Sequence, residues 1–197
     1  MKTLELLDSN LTFLLSNLFP KNAFFYSIFR ALSVEGSYIW VWISVAAIVF
    51  ALEYFTHKQV GVFLRKLFRV TIVLFITALI TYLSVSYIAK PIFKRERPYE
   101  SAKIEALYCP KDYSFPSGHA AVAWAGAYIL IKFDSKRRRE ITYCLIAAFV
   151  SYSRIYLTCH YFGDVLFGAL FGIGIAALTF EGYRRFFLTD KQLKLIK

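Results

Sequence analysis

Phe115-Pro116-Ser117-Gly118-His119-Ala120-Ala121-Val122-Ala123-Trp124-Ala125-Gly126-Ala127-Tyr128-Ile129-Leu130-Ile131-Lys132-Phe133 is the stretch from which the character of the chain can be read. A proline, a hydroxyl, a glycine and an imidazole come first, and the chain then meets no charge until Lys132. Proline is tolerated in the first turn of a helix, where the leading N–H groups have no partner within the helix. Pro116 to His119 therefore read as a loop-to-helix start whose N–H groups attract anions. The run from Ala120 to Ile131 is apolar enough to lie in lipid.

Outward from this stretch the same alternation repeats. Residues 37–55, 67–89, 116–133, 141–158 and 165–180 are apolar runs of about 16 to 23 residues, near the roughly 20 that a spanning helix needs. The first 35 residues are interrupted by Asp8, Asn10, Asn17, Pro20, Lys21, Asn22 and Arg30. They read as two interfacial amphipathic helices, at about residues 3–19 and 22–32. The expected fold is all-α, an integral membrane helical bundle with five spanning helices, or six if the first 35 residues supply another. A cleavable secretory signal is not expected, because no basic start leads into an uninterrupted apolar core. The chain has no repeat and no low-complexity linker, so residues 1–197 are expected to form a single domain. Within it, residues 1–35 are an amphipathic segment, 36–183 the transmembrane core and 184–197 a cytoplasmic tail.

Composition agrees: 58% of the residues are hydrophobic and 19% aromatic, above the apolar share of an ordinary soluble domain. The net charge of +11 would suit nucleic acid if it formed a stripe, but it is distributed between the apolar runs. Lys58, Arg65, Lys66 and Arg69 form one basic zone, Lys136 to Arg139 a second, and Arg184, Arg185, Lys191, Lys194 and Lys197 a third. That spacing describes membrane topology and excludes nucleic acid as the expected partner. The positive-inside rule puts these zones in the cytoplasm. Residues 90–115 and the turn around His160 then lie on the outer face, for a bacterial inner-membrane protein the periplasm or exterior.

Those outer stretches carry the groups that apolar surroundings make costly. Lys90 closes a run. Arg97 precedes Pro98, which biases it to an extended backbone that lets its side chain turn back toward the bundle. A lysine is a compact charge and an arginine a planar fork matched to phosphate oxygens. Lys94, Arg95 and Lys103 read instead as an interfacial cluster that snorkels to water. Ser117 adds a hydroxyl, Gly118 permits close backbone approach, and His119 can carry a proton near neutral pH. Arg154, at the outer end of a run, needs an anionic partner. His160 and Asp164 are four residues apart, so on one helix face Asp164 would accept a hydrogen bond from an imidazole nitrogen. The other nitrogen would be left free to attack. Gly126, Gly168, Gly172 and Gly174 read as sites of close helix packing.

Lys90 with Arg97-Pro98, Pro116-Ser117-Gly118-His119, and Ser153-Arg154 with His160 and Asp164 resemble the complete three-part signature of the type 2 phosphatidic acid phosphatase superfamily. The resemblance implies a lipid phosphatase in which His160 attacks phosphorus, Asp164 orients it and His119 protonates the leaving oxygen. Lys90, Arg97, Ser117, Gly118 and Arg154 would hold the phosphate oxygens. It implies no metal and no cofactor, with positive side chains taking the place of magnesium, and a lipid phosphate or diphosphate as partner. Undecaprenyl diphosphate is the preferred substrate; phosphatidylglycerol phosphate, phosphatidate and lipid A are alternatives, as is transfer of the phosphoryl group to another lipid. Vanadium haloperoxidases are similar in the motif but soluble in context. Cys144 falls within a run and reads as packing. Cys109 and Cys159 share the outer side, where a disulfide could tie the loop to the turn at His160, although no spacing rule selects it.

Overall fold

The computed structural model describes residues 2–34, 37–57, 60–101, 109–134 and 136–187. Among them every regular element is a helix. Two short helices lead, α1 (Lys2–Ser16) and α2 (Ala23–Leu32), the second capped by Asn22, whose side chain accepts from Phe25 N–H. Their positions agree with the two N-terminal helices expected from the sequence at about residues 3–19 and 22–32. Helices α3 (Ser37–His57) and α4 (Val60–Leu83) come next, and α4 continues through a π-helical segment, Ser84–Ala89, into α5 (Lys90–Phe93). After a one-turn helix α6 (Pro98–Ser101) come α7 (Gly118–Phe133), α8 (Arg137–Tyr156) and α9 (Phe162–Phe187). Lys58, Lys103 and the tail lysines Lys191, Lys194 and Lys197 lie outside the described residues.

Helix α7 occupies the centre, packed against α3, α4, α8 and α9. Its alanines make this possible: Ala120, Ala121, Ala123, Ala125 and Ala127 are all buried, and small side chains let neighbouring backbones close in. The sixteen residues of α7 make a short helix, and α8 carries Arg137 to Glu140 in its first turn and Arg154 in its last. Among the described residues, two stretches, Leu64–Ser101 and Phe162–Phe187, are long and apolar enough to cross a membrane. Around the bundle, Phe75, Ile88, Phe149, Phe167 and Leu170 are exposed, as lipid-facing side chains would be.

Three of the four glycines expected at packing positions do this work. A Cβ on Gly126 would run into the Trp42 indole, one on Gly172 into the Ala121 backbone, and one on Gly168 would stand 2.5 Å from the Ser117 carbonyl oxygen. Gly174 faces open space. The α7–α9 seam therefore depends on bare backbone, and Gly168 sets how closely α9 approaches the start of α7. At the opposite end of the bundle, buried Asp134 accepts from the Tyr143 hydroxyl at 2.7 Å and pairs with Arg139 at 3.0 Å.

Helix geometry places Lys90, the start of α7, the end of α8 and the start of α9 at one end, and Arg65, Lys136 and Arg185 at the other. Among the described residues, these members of the three basic zones thus stand at the end of the bundle away from the chemical motifs.

Replacing Gly172 by alanine forces backbone apart and is expected to destabilise the bundle by about 3 kcal/mol or more, at the upper end of overpacking costs. Gly174→Ala is expected to be neutral or slightly stabilising. Thermal unfolding of both variants in one detergent checks this, and equal melting temperatures would refute the seam.

Candidate active site

All eight residues anticipated from the sequence meet at the end of the bundle where α7 begins. Lys90, Arg97, Ser117, His119, Arg154, His160 and Asp164 are each buried, and Gly118 opens α7 between two of them. Each is delivered by a helix end or by a turn beside one. Lys90 comes directly after the π-helical segment, a conformation frequent at functional sites. Ser117 is the N-cap of α7, its hydroxyl oxygen accepting from Ala120 N–H, so the helix begins two residues later than the proline suggested. Ser117 N–H in turn donates to the Asp164 carbonyl at 2.9 Å, fixing the start of α7 against α9. Room beside Gly118 is ample: an added Cβ would meet Val85 at an ordinary 3.6 Å.

The expected direct bond from His160 to Asp164 is not formed. His160 stands in the turn before α9, its N–H bonded to the Arg154 carbonyl at 3.2 Å, while Asp164 is in the first turn of the helix, so the two do not share a helical face. His160 Nδ1 is 3.7 Å from Asp164 Oδ2, too far for a hydrogen bond. Ser114 bridges the gap. Its hydroxyl donates to Asp164 Oδ2 and lies 3.4 Å from His160 Nδ1. Asp164 Oδ2 also accepts from Tyr161 N–H at 2.9 Å, and Oδ1 from Arg95 at 2.7 Å.

This arrangement fixes the tautomer of His160 twice. With its single proton directed to Asp164, the Ser114 hydroxyl can only accept from Nδ1, which must therefore carry the proton. On the other side of the ring, Arg97 Nη1 lies 3.1 Å from Nε2, and a guanidinium can only donate. Nε2 thus holds a lone pair. His119 is the complement: its Nε2 is 3.2 Å from the Ser33 carbonyl oxygen, an acceptor, so that nitrogen bears a proton.

Arg97 is wholly buried, its fork spread over the Asp112 and Cys159 carbonyls at 2.7 and 2.8 Å and the Asp112 carboxylate at 2.5 Å. The same carboxylate pairs with Lys90. Burial pushes the Asp112 carboxyl up, but the hydrogen bond and charge of Lys90, and then of Arg97, outweigh it and keep the group ionised below its usual range. Arg154 Nη1 reaches the Ser33 carbonyl at 3.4 Å, and the Ser33 hydroxyl bonds Ser153 at 2.8 Å. A cage of Lys90, Arg97 and Arg154 around a neutral imidazole, whose Nε2 lone pair is held by Arg97 until a phosphate draws the guanidinium away, suits an attack on a phosphorus atom whose oxygens need cationic partners.

Residues 69–187 match the family model described as the PAP2 superfamily. The chain belongs to this superfamily. An undecaprenyl-diphosphatase of Sulfolobus acidocaldarius is 31% identical over 144 residues, covering 72% of this chain and 63% of the relative. A lipid A 4'-phosphatase of Bacteroides thetaiotaomicron is 38% identical over 79 residues, 40% of this chain and 32% of the relative. The chain thus spans less than two thirds of the length of either. Its fold is that of the PAP2-type phosphatidylglycerolphosphate phosphatase of Bacillus subtilis, with a TM-score of 0.65 over 96% of this chain and 90% of that one, at 21% identity.

Beyond the PAP2 signature, the site uses residues that sequence reasoning passed over. Arg95, read as a snorkelling cation, turns inward to bond Asp164 and Asp8 at 2.7 Å each, with its guanidinium 4.0 Å above the Tyr161 ring. Asp112 and Ser114 precede the PAP2 histidine loop without periodicity to flag them. A signal was present for Asp8: a carboxylate on an apolar helix requires a cation. Cys109 and Cys159 are joined, their Cα atoms 5.3 Å apart, so the loop carrying Asp112 and Ser114 is tied to the residue before His160.

Burial first, and then the charges of Arg97, Arg154 and Lys90, hold the His160 imidazole well below the ordinary histidine value of 6.5. The uncharged form therefore persists as pH falls through 6.5, the reverse of an exposed histidine. Ring 15N shifts of His160 in micelles are expected to report a neutral Nδ1–H tautomer at pH 6. An imidazolium forming near 6.5, or the Nε2–H tautomer, would contradict the geometry.

Proposed function

We propose that this chain is an integral membrane lipid phosphatase that hydrolyses a lipid phosphomonoester or diphosphate through a phosphohistidine, with undecaprenyl diphosphate as its substrate. One observation carries the reading: the Nε2 lone pair of a buried neutral His160 lies within the cage of Lys90, Arg97 and Arg154.

In the first step Nε2 of His160 attacks phosphorus and the bond to the leaving oxygen breaks, while His119, doubly protonated beside the bound phosphate and with its Nε2–H held by the Ser33 carbonyl, gives its Nδ1 proton to that oxygen. In the second step water attacks phosphorus, yields a proton to His119, and the P–N bond breaks to release phosphate. Ser114 and Asp164 hold the proton on Nδ1 and stabilise the positive charge that the ring acquires. Lys90, Arg97, Arg154, the Ser117 hydroxyl and the N–H groups at the start of α7 take the nonbridging oxygens, so catalysis is mainly positioning and electrostatics. Asp112 keeps Lys90 and Arg97 in place between turnovers and yields them to the incoming phosphate.

A topology goes with this reading. Helices α3, α4, α7, α8 and α9 are the five spans, the basic zones face the cytoplasm and the cage faces outward. The shortness of α7 is compatible with spanning because ten of its residues are buried among other helices instead of facing lipid. Helix α1 lies in the outer interface with Leu4, Leu7, Leu11, Phe13 and Leu14 exposed toward acyl chains. A polyprenyl diphosphate offers its phosphates at that depth, and the relative from Sulfolobus acidocaldarius bears an undecaprenyl-diphosphatase name over the longer match.

Phosphate release from a panel of undecaprenyl diphosphate, phosphatidylglycerol phosphate, phosphatidate and lipid A tests this, with His160→Ala as the blank. Turnover should be highest on undecaprenyl diphosphate, undiminished by chelator, and lower by a factor of about 10⁴ or more in the variant, as for loss of a nucleophile. A strict magnesium requirement, or equal turnover in wild type and His160→Ala, would overturn the mechanism. Preference for another lipid would overturn the substrate alone, and a phosphorylated lipid acceptor in mixed vesicles would make the chain a transferase.

A further inference from the structure

The matched family region begins at residue 69, yet the proposed catalytic carboxylate is braced from residue 8. Asp164 Oδ1 accepts from Arg95 Nη1 at 2.7 Å, and Arg95 Nη2 donates to Asp8 Oδ2 at 2.7 Å. The other oxygen of Asp8 accepts from Gly163 N–H at 2.8 Å, and one turn further along α1 the Thr12 hydroxyl oxygen accepts from Phe162 N–H at 2.9 Å. Two N–H groups of the first turn of α9, which have no acceptor within the helix, are thus met by α1. The approach is close enough to select the residue opposite: a Cβ on Gly163 would stand 2.9 Å from Asp8 Oδ2.

Charge explains why an aspartate, not merely a cap, stands there. Arg95 bonded to Asp164 alone would draw the carboxylate's negative charge away from the side that faces Ser114 and His160. A second carboxylate on the same guanidinium shares that positive charge and leaves Asp164 a stronger acceptor. The planar fork also fixes the angle at which Asp164 is held.

We propose that Asp8 is a positioning residue of this site, acting through Arg95 on Asp164, so that helix α1 is an integral part of the reaction centre and not only a membrane-surface anchor. The inference rests on the phosphohistidine reading above. It makes the Asp8 carboxylate of the N-terminal helix a requirement for turnover rather than for substrate affinity.

The test uses the full chain in detergent with the lipid diphosphate as substrate. Asp8→Asn keeps an oxygen for Gly163 N–H but removes the charge. It is expected to lower kcat about tenfold, the scale of a lost charged hydrogen bond, with KM within about twofold. Arg95→Gln should show the same split, and the double variant should be no slower than Arg95→Gln alone. Thr12→Val disturbs the same helix end without touching Arg95 and is expected to keep wild-type kcat. Gly163→Ala, which pushes Asp8 away while leaving it in the chain, should also lower kcat and guards against poor folding of the first variant. Wild-type kcat in folded Asp8→Asn, multiplicative losses in the double variant, or equal kcat losses in Asp8→Asn and Thr12→Val would overturn the proposal. In each of those cases an active wild type beside an inactive His160→Ala would leave the phosphatase reading intact. Loss of that contrast would instead remove the phosphatase reading and this inference with it.

Discussion

Burying charge at the end of an apolar bundle is the constraint that shapes the rest of this structure. Lys90, Arg95, Arg97 and Arg154 lie at the mouth of the helices with Asp8, Asp112 and Asp164 among them, and an unpaired ion in such a place would be excluded by its desolvation cost. Each carboxylate is placed to hold one or two cations in a fixed direction. The cations are thereby organised in advance, which is the condition that the proposed phosphoryl transfer sets for electrostatic catalysis without reorganisation. Two imidazoles complete the set, and burial together with the cationic surroundings keeps His160 neutral.

The scaffold serves this arrangement through backbone contact. The Ser117 N–H to Asp164 carbonyl bond joins the α7 and α9 ends, and it can form because Gly168 carries no side chain where the Ser117 carbonyl passes. On the other flank, Ser33 at the end of α2 presents its carbonyl to His119 and Arg154. The disulfide from Cys109 to Cys159 ties the Asp112–Ser114 loop to the turn of His160. Separate segments, including two that precede the first long helix, therefore converge on one ring of hydrogen bonds.

The same physics decides how much of this could be read from the chain. Ionisable residues beside apolar runs are conspicuous, so Lys90, Arg97, His119, Arg154, His160 and Asp164 were identifiable, as were the helices and the packing roles of Gly126, Gly168 and Gly172. Direction of a side chain is not encoded so locally. Arg95 and Lys94 are adjacent cations, and only the three-dimensional position of Asp8 and Asp164 turns Arg95 inward. The four-residue spacing of His160 and Asp164 suggested a shared helix face, but a helix beginning at Phe162 leaves His160 in the preceding turn and assigns Ser114 the bridging place. Partners far apart in the chain, such as Asp8 with Gly163 or Cys109 with Cys159, have no periodicity to betray them.

The proposed mechanism turns on Nε2 of His160 being the atom that meets phosphorus. Rapid quenching during turnover of a lipid diphosphate, with mass-spectrometric mapping under alkaline conditions that preserve phosphohistidine, gives the sharpest test. A transient phosphoryl group on Nε2 of His160 is expected. Phosphate on Nδ1, on another residue, or on no residue during measurable turnover would refute that assignment.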